Sequence, residues 1–222
     1  MNIDNYQQTI TMKTFEELSN HYSGGQPQIV APNRGTGYSN GGGDMVLHGY
    51  TKIYEEIFKD SKDSNINYLE VGVFQGRKLA TFSDYFPNGK IYGVDLSVKE
   101  FELMKSTLIE MGAFSNNNLM SVLPGDSTDI STWDQKINDY PMFDIILDDG
   151  LHRPDAQHKT LINFWNKLKP GGIYIIEDIQ YQFIDKLIAL LKSTDHFQFI
   201  QSRIDTKVPN HQVFILQKES DE

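Results

Sequence analysis

Short hydrophobic runs alternate with segments of helical periodicity from residue 46 onwards. In one such segment, Phe101, Met104, Leu108 and Met111 recur at helical spacing and form a single apolar stripe. The hydrophobic runs predict seven strands, at about 67–73, 90–95, 119–123, 143–147, 173–176, 197–204 and 212–217. The periodic segments predict helices at about 46–59, 77–85, 99–111, 130–138, 154–168 and 179–191.

Strands that alternate with helices predict an α/β fold, in which helices cover both faces of a mostly parallel sheet. Because no helix fits between 197–204 and 212–217, we expect these two strands to form an antiparallel hairpin at the end of the sheet. Residues 1–45 are polar and become rich in glycine at 23–44. They predict a flexible arm or lid, or a plain linker, ahead of a single domain at 46–222.

Composition excludes several classes of function. The formal net charge of −10 disfavours nucleic acids and anionic membranes as partners. The absence of cysteine excludes disulfides, thiolate metal sites and cysteine nucleophiles. No apolar stretch approaches the roughly 20 residues of a membrane span, and the N-terminus lacks the pattern of a signal peptide. We therefore expect a cytoplasmic protein.

Two acidic pairs each follow a hydrophobic run in the second half of the chain, Asp148-Asp149 after 143–147 and Glu177-Asp178 after 173–176. One helix separates the two runs, so the strands are parallel and both pairs lie at the carboxyl edge of the sheet. Carboxylates crowded there resist joint ionisation unless a cation or a proton joins them. Because oxygen ligands favour a hard divalent ion such as Mg²⁺, we predict a metal-assisted site.

His152 lies three residues after Asp149 on the same loop. A free imidazole titrates near pH 6.5, which suits a general base. The alternative is an ordinary surface histidine in the loop or in the first turn of the next helix. Strand alternation points Asp148 away from Asp149, so that Asp148 either touches a cofactor or caps a turn.

A glycine turn follows the first predicted strand, with Gly72 and Gly76 directly after Glu70. Such a turn lets a ligand approach the backbone, although a tight strand-to-helix turn needs glycine without any ligand too. Asp95 ends the second strand, where an acid can bind ribose hydroxyls or cap a helix. After the third strand, Asp126 and Ser127 lie where an adenine would bind, or Asp126 caps the next helix.

The glycine spacing favours S-adenosylmethionine over a dinucleotide. The chain has G-x-x-x-G rather than the G-x-G-x-x-G that packs closely around a pyrophosphate. Glu70 would repel a pyrophosphate but attract an ammonium group. Both features favour S-adenosylmethionine over NAD.

At this point the sequence resembles the class I S-adenosylmethionine-dependent methyltransferases, and among them the metal-dependent sugar O-methyltransferases of the macrocin and mycinamicin type. The similarity covers about residues 45 to 218 and rests mainly on four motifs: His48-Gly-Tyr-Thr-Lys-Ile-Tyr-Glu55, Glu70-Val-Gly-Val-Phe-Gln-Gly76, Asp148-Asp-Gly-Leu-His152 and Pro170-Gly-Gly-Ile-Tyr-Ile-Ile-Glu-Asp178. Leu151 stands where the family usually has serine, and Gly-Gly-Gly-Asp-Met-Val-Leu47 replaces its usual D-K-G.

The resemblance implies a Rossmann-like sheet and assigns roles to particular residues. Asp149, Glu177 and Asp178 would bind Mg²⁺ or a similar divalent ion, with His152 as general base. The residues assigned to the cofactor are Glu70, Gly72, Gly76, Asp95, Asp126, Ser127, Asp148 and Tyr50. The family also tends to form homo-oligomers.

Together these features predict methyl transfer from S-adenosylmethionine to a hydroxyl group of a sugar or sugar-containing molecule. Because three monodentate carboxylates leave coordination places open, we expect a small-molecule or glycan acceptor with vicinal hydroxyls. The alternatives are a catechol-type metal-dependent O-methyltransferase, a non-catalytic methyltransferase-like binding subunit, and an NAD-dependent sugar-modifying enzyme. Asp178 argues against the catechol type, in which that position is commonly asparagine.

Overall fold

The computed structural model describes residues 13–23, 44–129, 131, 139–193 and 212–220. Its strands are β1 (Asn67–Val71), β2 (Lys90–Asp95), β3 (Leu119–Pro124), β4 (Phe143–Asp148), β5 (Leu168–Ile179) and β6 (Gln212–Gln217). They form a six-stranded sheet in the order β3-β2-β1-β4-β5-β6. The first five strands are parallel, and β6 pairs antiparallel with β5.

As the periodicity predicts, a helix connects β1 to β2, β2 to β3 and β4 to β5. The described helices are α1 (Phe15–Ser23), α2 (Asp44–His48), α3 (Tyr50–Phe58), α4 (Arg77–Tyr85), α5 (Lys99–Glu110), α6 (Pro154–Trp165) and α7 (Ile184–Lys192). Short 3₁₀ turns follow at Lys59–Ser61 and Tyr181–Phe183. None of the helices in the described ranges is long and apolar enough to cross a membrane.

Both faces of the sheet are buried, because successive side chains of a strand point to opposite sides. On β4, Ile145 and Leu147 join the hydrophobic cluster that α1, α3, α4 and α5 cover. The intervening Ile146 joins the cluster that α6 and α7 cover. The predicted α/β sheet with helices on both faces is therefore confirmed.

The structure differs from the predicted elements in several places. The helix predicted at 46–59 is two helices, because Gly49 takes a left-handed φ of 82° between them. The helix predicted to run to residue 168 ends at Trp165, since Leu168 already pairs with Phe143 in the sheet. Six strands are described rather than seven: the strand predicted at 197–204 lies outside the described residues. The same holds for the helix predicted at 130–138, apart from Ser131.

The predicted N-terminal arm contains α1, which packs on the domain. Phe15, Leu18 and Tyr22 are buried, and the Phe15 ring makes edge contacts with Tyr54 and Phe82 at centroid distances of 5.3 and 4.9 Å. Residues 1–12 and 24–43 of the arm lie outside the described residues. The domain boundary at residue 45 stays a prediction.

The glycine turn after β1 is shaped by packing within the protein. Gly72 and Gly76 have φ values of +86° and +76°, a region that favours glycine. A Cβ atom at Gly72 would collide with the Asp149 carbonyl group and lie 2.9 Å from the Gly150 Cα atom. A Cβ atom at Gly76 would meet the Phe101 ring, 2.7 Å from its Cε2 atom. These contacts require glycine at both positions whether or not a ligand binds.

We predict that Gly72→Ala destabilises the protein more than Gly112→Ala. Gly112 also has a positive φ, +99°, but a Cβ atom there would meet nothing within 4 Å. Gly112→Ala should therefore cost only the backbone strain, about 1–3 kcal/mol of unfolding free energy. Gly72→Ala should cost about 1–3 kcal/mol more, because the Asp149 backbone must move. Urea denaturation of both variants measures the difference, and equal losses would contradict this packing role.

Candidate active site

The two acidic pairs meet at the carboxyl edge of the sheet, as the sequence predicts. Strand β4 lies between β1 and β5, with Asp148 opposite Val71 on one side and Ile176 on the other. The Asp149 backbone N–H donates to the Val71 carbonyl at 2.8 Å. The loops after β1, β4 and β5 therefore converge on one region.

Three predicted residues come together there as a candidate metal site. Asp149, His152 and Asp178 each offer a ligand atom, and these atoms all lie within 4.8 Å of one another. The His152 Nε2 atom is 3.7 Å from the Asp178 Oδ2 atom. Two carboxylates and an imidazole at these separations are a donor set that fits a divalent cation.

Asp178 is held by residues from the N-terminal side of the domain. Its φ of 53° is left-handed, which is uncommon for a residue other than glycine. The Tyr50 hydroxyl donates to Asp178 Oδ1 at 2.6 Å, and the His48 Nδ1 atom lies 3.4 Å from the same oxygen. Tyr50 thus contacts an acid of the candidate metal site, and its predicted role in cofactor binding stays a prediction.

Glu177 lies beside this group but makes other contacts. Its side chain is buried, with the Tyr54 hydroxyl donating to Oε1 and the Lys78 ammonium contacting Oε2. Burial raises the pKa of Glu177 to about 8, although the Lys78 ammonium acts to lower it. The Gln157 side chain donates to the Glu177 backbone carbonyl at 3.0 Å and helps to fix this position.

Lys78 bridges the two acidic pairs. Its Nζ atom lies 2.7 Å from Asp149 Oδ2 and also contacts Glu177. Burial acts to lower the pKa of Lys78, but the charges of Asp149, Glu177 and Glu70 outweigh it and raise the pKa well above its usual value. These acids therefore favour the cationic form of Lys78, which lies among Asp149, Glu177 and Glu70.

Glu70 has an unsatisfied buried oxygen. Its side chain is buried at the end of β1, and Oε2 has no hydrogen-bond partner among residues 13–23, 44–129, 131, 139–193 and 212–220. Burial raises the pKa of Glu70 well above its usual value, against the attraction of Lys78. A buried carboxylate oxygen without a donor is costly, and it fits the predicted ammonium group of S-adenosylmethionine.

The remaining predicted cofactor residues organise the turns of this edge. Asp95 accepts from the Phe74 backbone N–H at 2.8 Å and from the Ser97 backbone N–H at 3.0 Å. Asp126 accepts from the Thr128 backbone N–H at 2.8 Å. The Ser127 hydroxyl contacts the Thr160 hydroxyl at 2.9 Å. These side chains already make contacts within the protein that shape the turns. Their role in ligand binding stays a prediction.

Asp148 has the turn-capping contacts that the sequence left as one of two alternatives. It is buried, and its Oδ1 atom accepts from the Gly150 backbone N–H at 3.1 Å. Burial raises the pKa of Asp148 to about 7. Its Oδ2 atom lies 3.5 Å from the hydroxyl of Tyr174, which belongs to the hydrophobic cluster that α6 and α7 cover.

Sequence reasoning missed three residues of the site: His48, Tyr54 and Lys78. A signal existed for Tyr54, because it is four residues after Tyr50 and such residues share one face of a helix. His48 opens a motif used for the resemblance, yet nothing in its spacing indicated Asp178. Lys78 lies two residues after Gly76, and no local sequence signal indicates that this lysine points inward.

No protein-family model matches the chain. Among curated proteins, the chain is 29% identical over 140 residues to mycinamicin VI 2''-O-methyltransferase of Micromonospora griseorubida. This alignment covers 60% of this chain and 32% of that protein. Demethylmacrocin O-methyltransferase of Streptomyces fradiae is 25% identical over 140 residues, with the same coverage of 60% and 32%. The chain thus spans about one third of the length of these curated relatives.

Solved methyltransferases share the fold. The structure of the MycE methyltransferase from the mycinamycin biosynthetic pathway, in complex with Mg, SAH and mycinamycin VI, matches with a TM-score of 0.63 at 22% identity, over 96% of this chain and 56% of that one. A precorrin-6y C5,15-methyltransferase from Geobacter metallireducens matches with a TM-score of 0.53 at 11% identity, over 75% and 87%. The chain therefore has the α/β fold of the class I S-adenosylmethionine-dependent methyltransferases and is similar in sequence to sugar O-methyltransferases of the macrocin and mycinamicin type.

Proposed function

We propose that the chain transfers a methyl group from S-adenosylmethionine to a hydroxyl group of a sugar or sugar-containing small molecule, assisted by Mg²⁺ or a similar divalent ion. The observation that carries this proposal is the convergence of Asp149, His152 and Asp178 beside Glu70, whose buried Oε2 atom has no donor within the described part of the chain. Curated relatives named as sugar O-methyltransferases support it.

The cofactor residues are proposed around the carboxyl ends of β1, β2 and β3. Glu70 would accept from the ammonium group. Asp95 would accept from ribose hydroxyls, since each carboxylate oxygen has two lone pairs and can accept more than one hydrogen bond. The further proposed cofactor residues are Gly72, Gly76, Asp126, Ser127, Asp148 and Tyr50.

The proposed metal ligands are Asp149, Glu177 and Asp178. The exposed fractions of their side chains differ, 24% for Asp149, 15% for Asp178 and 1% for Glu177, so the first two can be reached from solvent more readily. Burial raises the pKa of Glu177 because it disfavours the ionised form, and a nearby divalent ion would favour that form.

His152 is proposed as the general base. When bound, S-adenosylmethionine supplies the methyl group and the divalent ion makes the acceptor hydroxyl more acidic. Asp178 lies beside the Nε2 atom of His152 and orients the ring, while the Nδ1 atom has no hydrogen-bond partner among the described residues. The ring thus keeps a nitrogen that can take the hydroxyl proton.

The acceptor is proposed to carry two adjacent hydroxyl groups. An ion such as Mg²⁺ prefers six oxygen ligands, and three monodentate carboxylates leave room for acceptor oxygens. The acidic edge also disfavours carboxylate or phosphate groups near the reacting carbon. A homo-oligomer and a cytoplasmic location stay predictions.

Removal of the metal or of Asp149 should stop turnover but not cofactor binding. Excess chelator and the Asp149→Asn variant should each lower methyl transfer to a pyranoside by about 10²-fold or more, because charge stabilisation worth several kcal/mol is lost. Calorimetry should show that S-adenosylhomocysteine still binds. The matched control is Asp155→Asn, which removes a half-exposed carboxylate farther along the same segment. Full activity in excess chelator would contradict the metal-assisted mechanism.

Loss of His152 should remove most of the rate while the fold is preserved. His152→Gln should lower the rate by about 10²–10⁴-fold, the usual contribution of a general base. His158→Gln, a change on helix α6, serves as the control and should keep the wild-type rate. A His152→Gln variant that also keeps the wild-type rate would contradict the role of His152.

Efficient methylation should require the neighbouring hydroxyl. We expect kcat/KM to fall when a pyranoside is replaced by its analogue that is deoxy at the carbon next to the methylated position, because an anchoring oxygen is lost. Initial rates with the two acceptors measure this difference. Equal efficiency would favour activation of a single hydroxyl instead.

A further inference from the structure

Lys78 is an ammonium group placed inside the acidic edge by helix α4. It follows the glycine turn as the second residue of that helix, and only 6% of its side chain is exposed. Its Nζ atom lies 2.7 Å from Asp149 Oδ2 and contacts Glu177 Oε2. Two of the three proposed metal ligands are therefore already bound to a cation of the chain itself.

Each carboxylate oxygen of Glu177 already has one partner. Tyr54 donates to Oε1, and Lys78 contacts Oε2. By contrast, the described contact between Asp149 and Lys78 involves only the Oδ2 atom of Asp149. Asp149 also offers a ligand atom close to those of His152 and Asp178. A metal ion that uses Glu177 would therefore share a carboxylate oxygen with Lys78 or Tyr54, or displace one of them.

A divalent ion and an ammonium group repel each other when they share the same carboxylates. At separations of about 4–6 Å, one neighbouring charge changes the binding of another by roughly one to three powers of ten. Side-chain exposure of 6% for Lys78 and 1% for Glu177 means that water screens this repulsion only weakly. The lysine should thus weaken metal binding measurably.

We propose that Lys78 is a tethered cation that competes with the divalent metal ion for Asp149 and Glu177. It neutralises part of the acidic edge when the metal is absent, and it lowers the affinity of the site for the metal. This inference rests on the metal site of the proposed function. It adds a residue that sets metal affinity, and it makes the folded state less dependent on the metal.

The experiment compares Mn²⁺ binding to the wild-type chain and to Lys78→Met by calorimetry, without cofactor or acceptor. Methionine keeps a similar length and removes the charge. We expect Lys78→Met to bind Mn²⁺ about tenfold more tightly or better. The matched control is Lys169→Met, because Lys169 pairs with Asp144 of the same strand β4 at 2.8 Å but at the opposite edge of the sheet. Its affinity for Mn²⁺ should equal that of the wild type.

The outcomes separate this inference from the proposed function. If the wild type binds Mn²⁺ and Lys78→Met binds it equally or more weakly, the competition is wrong while the metal site stands. If neither binds Mn²⁺, the metal site itself is wrong and the inference falls with it. If Lys78→Met folds only when Mn²⁺ is added, the competition is supported, because the metal then replaces the missing cation.

A second measurement follows the wild-type chain and uses Lys78 variants only to assign signals. NMR of the chain labelled with ¹⁵N at its lysine side chains reports the ammonium groups. The spectra of Lys169→Met and Lys78→Met assign the signals of Lys169 and Lys78. If Lys78→Met does not fold, Lys78→Arg assigns the Lys78 signal instead. Titration of the wild type with Mg²⁺ should shift the Lys78 signal and leave the Lys169 signal in place. A Lys78 signal that stays unchanged while Mg²⁺ binds would overturn the proposal.

Discussion

The carboxylates at the carboxyl edge of the sheet are held together by one buried ammonium group. Lys78 contacts Asp149 and Glu177 directly, and its charge also acts on Glu70. Removing one partner of a buried ion pair leaves the other charge uncompensated, which is strongly destabilising. Helix α4, which begins beside these acids, therefore supplies positive charge that compensates them. A further cation would reduce the negative charge that remains.

Helix α3 connects this edge to the hydrophobic core. Tyr50 and Tyr54 are buried, and their hydroxyl groups reach Asp178 and Glu177. The ring of Tyr54 also packs against Phe15 of α1 and Phe82 of α4. The same side chain thus contributes to the core and orients an acid. Mutations in the core around α1 would therefore change the position of Tyr54 and, through its hydroxyl, that of Glu177.

At the carboxyl edge of the sheet, several residues assigned to the site also fix the conformation of the turns. Asp95 and Asp148 accept backbone N–H groups of nearby turns, and Gly72 lets the turn after β1 pack on the Asp149 backbone. Asp178 itself has a left-handed φ of 53°. Backbone conformations of this kind cost of order 1–3 kcal/mol and persist where surrounding contacts hold them. Here the contacts from Tyr50 and His48 provide that support.

The sequence by itself determined the alternation of strands and helices and the meeting of the two acidic pairs. Periodicity reports which residues are buried, and parallel strands place their carboxyl ends at one edge. It also carried the resemblance that indicated methyl transfer. Only the tertiary structure decided which donor meets each acid. Lys78 and Glu177 are 99 residues apart, and Tyr54 and Glu177 are 123 apart. Such contacts depend on how α3 and α4 pack on the sheet, which no local pattern encodes.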